Sequence, residues 1–113
     1  MRQLLVVVMT ALAGCAALEA TQTPKSDAVF LSRKPVEGVA ECITWGWGNQ
    51  KFDEVSSQYA STSIKNGLRL AADAGAERLD IVDISGKTEL SLYLDDPTSP
   101  RVAKRVAVIE SCL

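Results

Sequence analysis

Residues Arg78–Asp95, "RLDIVDISGKTELSLYLD", decide the fold. In the second half Leu90, Leu92 and Leu94 fall on one side, and Glu89, Ser91 and Tyr93 on the other. That period of two belongs to a strand with one dry and one wet face. Leu79 and Ile81 sit in the apolar run that precedes it, and Ser85-Gly86 between the runs marks a tight turn. Asp95-Asp96-Pro97 ends the second strand.

Working toward the amino terminus, Val55, Ser57 and Tyr59 alternate with polar neighbours. Lys65-Asn66-Gly67-Leu68 then carries Asn-Gly, a strong hairpin signal, and "LRLAA" follows it. Residues 63–75 fit two patterns. Ile64, Leu68, Ala71 and Ala72 also recur at helical spacing, with Gly75 as a stop. The hairpin is favoured because Asn66-Gly67 sits badly inside a helix.

Helical patterns flank this region. Ser32 is a candidate cap and Pro35 suits a first turn, where a missing N–H costs nothing. Val36, Val39, Ala40, Ile43 and Trp47 then form one helical stripe. Cys42 lies on its flank, Trp45 points roughly opposite, and Gly46 and Gly48 are candidate stops. At the far end Ser99 and Pro100 start a second helix, with Val102, Val106, Ile109 and Leu113 as its stripe and Cys112 on the flank. "VFL" at 29–31 fits a brief entering strand. The expected fold is α+β: an antiparallel four-stranded meander with two helices on one face and water on the other.

The first fourteen residues, "MRQLLVVVMTALAG", have the basic start and short apolar run of a secretory signal. The run is too short to span a bilayer, which takes about 20 residues. It ends in Leu12-Ala13-Gly14-Cys15, which resembles the lipobox of bacterial lipoproteins. The resemblance implies acylation of Cys15 and cleavage before it. Ala16, rather than Asp, after the cysteine implies the outer membrane by similarity to enterobacterial sorting. The implied organisation is a signal peptide at 1–14, a lipidated cysteine and tether at 15–28, and one small domain at 29–113. With Cys15 taken by lipid, Cys42 and Cys112 remain as a pair, and exported thiol pairs become disulfides. Such a bridge staples the two helices. Pro35, Val39-Ala40, Cys42-Ile43 and Cys112-Leu113, together with the lipobox, resemble a group of small proteobacterial lipoproteins without an assigned activity. The resemblance covers the helices and implies a fold and a location.

Composition narrows the chemistry. The chain has 113 residues and a net charge of −2. Cleavage before Cys15 removes Arg2 and no acid, which makes it −3. That gives no electrostatic case for nucleic acid. Histidine is absent from the sequence, so His-based triads lack their base and zinc or copper lacks its usual ligand. There is no GxSxG elbow, no S-x-x-K and no glycine-rich phosphate cradle. No cofactor and no metal are expected.

Asp80, Asp83, Glu89, Asp95 and Asp96 are the clustered acids. Asp80 and Asp83 would lie on opposite faces of a strand, and Asp95-Asp96 reads as a turn. Arg101, Lys104 and Arg105 share one and a half turns of the last helix and can meet phosphate, although a solvated polar face explains them more simply. Candidate partner contacts are therefore Trp45, Asp95, Asp96, Arg101, Lys104 and Arg105. Trp47 is expected in the core; Trp45 either covers a neighbouring loop, the favoured reading, or stands exposed for a partner. The expected role is a non-enzymatic interaction or structural module, facing the periplasm from the outer membrane and meeting the bilayer through Cys15 and an envelope protein through its surface. The alternative is an inhibitor of a cell-wall hydrolase such as lysozyme, with Asp95-Asp96 at the contact.

Overall fold

Antiparallel pairing accounts for every strand of the computed structural model, which describes residues 25–113. The elements run β1 (Ala28–Ser32), α1 (Val36–Gly48), β2 (Lys51–Phe52), β3 (Val55–Ser56), β4 (Tyr59–Ile64), β5 (Gly67–Ala72), β6 (Glu77–Ile84), β7 (Lys87–Leu94) and α2 (Arg101–Cys112). The main sheet has the order β1-β7-β6-β5-β4, and β2-β3 form a separate two-stranded ribbon. The meander of β4 to β7 is as the alternation predicts. The entering strand adds a fifth member by pairing Phe30 with Leu90 at the edge of β7. The expected strand through Val55, Ser57 and Tyr59 is in fact two pieces. Asp53 and Glu54, at φ 52° and 66°, close the short β2-β3 ribbon, and β4 begins only at Tyr59.

Residues 63–75 form the hairpin rather than the helix. Its turn residues are Lys65-Asn66, one place earlier than the Asn-Gly pair, and Asn66 takes the positive φ of 64°. Gly67 is the first residue of β5, paired with Ile64, and a Cβ there would lie 1.9 Å from the Ile81 carbonyl oxygen, so the position requires glycine. Ser85 and Gly86 both have positive φ, the mirror-image turn whose twist matches that of its strands.

Both helices cover the face carrying Leu70, Leu79, Ile81, Leu90 and Leu92. From α1, Val39, Ala40, Ile43 and Trp47 are buried, as the stripe predicts. Ser32 is not its cap. It ends β1, where its hydroxyl accepts the Lys34 amide at 3.1 Å and donates to the Leu113 carbonyl at 3.0 Å. Pro35, still extended at ψ 155°, is the boundary residue. Gly46 is not a stop either. The helix continues through it to Gly48, and a Cβ at Gly46 would come within 2.5 Å of a Val108 methyl. Glycine is what lets α2 approach that closely. Asn49 ends α1, with its amide and its side-chain Nδ2 both donating to the Trp45 carbonyl.

For α2, Pro100 already has helical dihedrals, and the Ser99 hydroxyl accepts the Arg101 amide at 3.3 Å, so the expected cap is formed. The helices run antiparallel, with Cys42 against Cys112, Gly46 against Val108 and Trp47 against Arg105. Cys42 and Cys112 are joined as a disulfide with their Cα atoms 5.8 Å apart. The buried row of α2 is Arg105, Ile109 and Cys112, while Val102, Val106 and Leu113 are only partly buried. The stripe is thus rotated toward Arg105, away from the all-apolar line that the sequence suggests.

Candidate functional site

Arg105 overturns the reading of the basic trio as a solvated face. Its side chain is 0% exposed, in the angle between α2, the end of α1 and the β5-β6 loop. Burying a guanidinium is costly unless every donor finds an acceptor. Arg105 Nε donates to Glu77 at 2.7 Å. One terminal nitrogen reaches Gln50 Oε1 at 2.8 Å and the Trp47 carbonyl at 3.5 Å. The other reaches Asp73 at 2.8 Å and Ser57 at 3.0 Å. Arg101, one turn earlier and half-buried, donates to Glu77 at 2.8 Å and also pairs with Asp73. Two arginines and two carboxylates therefore balance in one cluster. The acids also lie at the amino end of α2, where negative charge is favourable and the arginines alone would not be.

The rest of the local structure is built around these charges. Asp73 and Ala74 hold φ of 47° and 61° before Gly75 at 89°, a left-handed run that only a fixed loop tolerates. Asp73 fixes it by accepting the Gln58 amide at 2.9 Å as well as the arginines. Phe52, from the β2-β3 ribbon, lies 4.6 Å from the Arg101 guanidinium and 4.8 Å from that of Arg105, ring centroid to carbon. Trp47 stacks near Arg105 at 5.2 Å and donates from Nε1 to its backbone carbonyl. The ribbon is thus an aromatic lid over the cluster.

Burial pulls the Asp73 carboxyl up, but the Gln58 amide and the two arginines outweigh it and hold the group below the usual carboxylate range. Burial likewise lowers Arg101, and Glu77 with Asp73 more than restores it. A carboxylate held ionised by two guanidinium groups is poorly placed to exchange protons near neutrality. The arrangement suits a clamp between helix and sheet better than an acid–base pair.

The remaining sequence candidates are scattered. Lys104 is exposed and lies over the Phe52 ring at 5.7 Å. Asp95 is exposed at the end of β7. Asp96 closes its own turn by accepting both the amide and the hydroxyl of Thr98, which lowers its pKa. Asp80 and Asp83 do lie on opposite faces of β6, and Asp80 is bound by Arg69. Trp45 does not cover a loop. It is 75% exposed on the outer face of α1, beside Gly38, Glu41 and the exposed Cys42. Trp47, two residues on, is fully buried as expected.

No family model, curated protein or solved structure matches this chain. Among the described residues, no three His, Cys, Asp or Glu side chains gather at metal-binding distance, and no helix is long and apolar enough to cross a membrane. The lipobox at 12–15, the signal segment 1–14 and most of the tether lie outside the described residues. Asp73, Glu77, Ser57, Gln50 and Phe52, which complete the cluster, are absent from the sequence candidates. The one signal for the two acids was charge opposite charge, and it appears only once β5, β6 and α2 are placed.

Proposed function

We propose that this chain is a lipid-anchored envelope protein, tethered by acylated Cys15 at the outer membrane, whose periplasmic domain acts by docking onto another envelope protein rather than by catalysis. The observation that carries the reading is Trp45: a large indole left in solvent next to the Cys42 end of the disulfide, on a helix that the Arg105 cluster clamps on its other side. A rigid aromatic on a fixed helix is the type of side chain that anchors interfaces, because little entropy is lost when it is covered. The disulfide supports an exported location, since such bonds persist in oxidising compartments.

Two experiments test the two halves. Labelled palmitate enters the wild-type chain in growing cells and not a Cys15→Ser variant; equal labelling of both refutes the anchor. A photo-crosslinking residue at 45 traps one defined envelope protein, and Trp45→Ala weakens binding of that purified protein by about 2 kcal/mol, near thirtyfold, at unchanged melting temperature. Undiminished binding by Trp45→Ala refutes the docking site.

A further inference from the structure

The open edge of the sheet is a surface separate from Trp45 and from the lipid anchor. Among the described residues β4, Tyr59–Ile64, is the last strand of the sheet and pairs only with β5. The Asp73 amide donates to the Gln58 carbonyl, which fixes the phase of the ladder: even-numbered residues from 58 turn their backbone groups toward β5. Tyr59, Ser61 and Ser63 therefore point their N–H and C=O groups away from the sheet.

Proteins usually blunt such an edge with lysine, proline, a bulge or a covering loop. β4 reads "YASTSI", without charge or proline; its register with β5 has no bulge, and Tyr59 through Ser63 are all exposed. Recognition of a foreign strand would draw specificity from pockets for alternate side chains. The side chains from Ala60 to Ser63 are all small, and the hollows that border the strand, one beside Tyr59 and Ala60 and one reached by Ser63, lie toward its two ends, so the ladder between them is flat.

We propose that β4 pairs antiparallel with β4 of a second copy of this chain, about a two-fold axis at Ser61. In that register Ser61 faces Ser61 of the copy, and Tyr59 faces Ser63 of the copy, twice. Each of these pairs exchanges two backbone hydrogen bonds, so all the outward groups of Tyr59, Ser61 and Ser63 are used. The large side chain meets a small one, and no charge faces a like charge. Tyr59 is already steadied from behind, since its ring lies about where a Cβ on Gly48 would touch it, at 3.0 Å. The product is a continuous ten-stranded sheet with both helix pairs on one face and an isologous interface.

The test uses the full chain in native membranes and in detergent. Ser61→Cys treated with a short bifunctional maleimide gives a species of twice the chain mass, while Val29→Cys, exposed on β1, does not. Ser61→Pro removes an N–H that the sheet does not use, so the fold tolerates it. It weakens the dimer measured by sedimentation equilibrium at least about tenfold, through two lost bonds and the ring in the way. Ser61→Lys, which sets two charges face to face, acts in the same direction without proline. A Ser61→Cys product no more abundant than that of Val29→Cys, a cross-link only to a different protein, or a dimer equally strong in both Ser61 variants overturns the proposal.

Discussion

Replacing Arg105 with methionine is the sharpest test of the buried cluster. Methionine keeps much of the volume and removes the charge, so the effect reads electrostatics and hydrogen bonding rather than a cavity. The wild-type guanidinium contacts Glu77, Asp73, Gln50, Ser57 and the Trp47 carbonyl. After the change, Glu77, with a side chain only 4% exposed, keeps Arg101 alone as its cation. Breaking a buried pair from one side costs about 3–5 kcal/mol, because the remaining charge stays buried without its partner. For a domain of this size each kcal/mol shifts the melting temperature by about 4–8 °C. The expected loss is therefore at least about 12 °C, a large part of the total stability of about 5–15 kcal/mol. The assay is thermal and urea unfolding of the oxidised chain, followed by tryptophan fluorescence, since buried Trp47 lies against Arg105. Lys104→Met, on the same helix but exposed, serves as the control and changes stability by no more than about 0.5 kcal/mol. The double variant Arg105→Met with Glu77→Gln costs less than the sum of the two single changes, because the stranded acid is gone. A loss under about 1 kcal/mol for Arg105→Met, or simple additivity with Glu77→Gln, refutes the clamp.

The same cluster makes stability pH-dependent in a defined direction. Asp73 is held below its ordinary pKa in the folded state, so its contribution is complete above the unfolded value of about 4 and is lost as pH falls through the lower folded value. Acid unfolding monitored by circular dichroism should show this component below about pH 4, and Asp73→Asn should remove it while lowering stability at neutral pH. The Cys42–Cys112 bridge spans 70 residues, for which the chain-entropy account gives about 4 kcal/mol; a double Cys→Ser variant checks it by urea unfolding, with a loss under 1 kcal/mol as the contrary result. Gly46→Ala drives a Cβ into Val108 and should cost about 1–3 kcal/mol, and adding Val108→Ala should recover part of it if helix approach is the cause.

What the sequence revealed and what it hid divide along one physical line. Alternation in β7 and the helical stripe of α1 report which side of an element is dry, and both survive intact in the structure. The short apolar segment at 29–31 was legible as a strand, but its partner was not, because pairing with β7 is a contact across about sixty residues. Gly46 and Gly67 read as local punctuation and are instead places where another element comes too near for a Cβ. Arg105 was misread for the same reason. A helical wheel grades a residue by its own polarity, whereas its burial depends on acids supplied by β6 and by the loop before it. The pairing of Cys42 with Cys112, expected once Cys15 is assigned to lipid, is present.

These long-range contacts also explain why the two tryptophans of "WGWG" have opposite fates. Both lie in the last turn and a half of α1, where the apolar stripe already places Trp47 inward and Trp45 roughly opposite. The helix is held at two levels: by the disulfide at Cys42 and by the Arg105 cluster beyond Trp47, with Gly46 against Val108 between them. Those contacts set the rotation of α1 about its axis. With Trp47 fixed over Arg105, residue 45, about 200° away on the wheel, has to face solvent. Loosening either hold should therefore let α1 roll and begin to cover the indole. In a Cys42→Ser/Cys112→Ser variant that remains folded, Trp45 fluorescence, read in a Trp47→Phe background, should shift to shorter wavelength and be less quenched by iodide. An unchanged emission maximum and quenching constant would show that the core stripe alone sets the rotation.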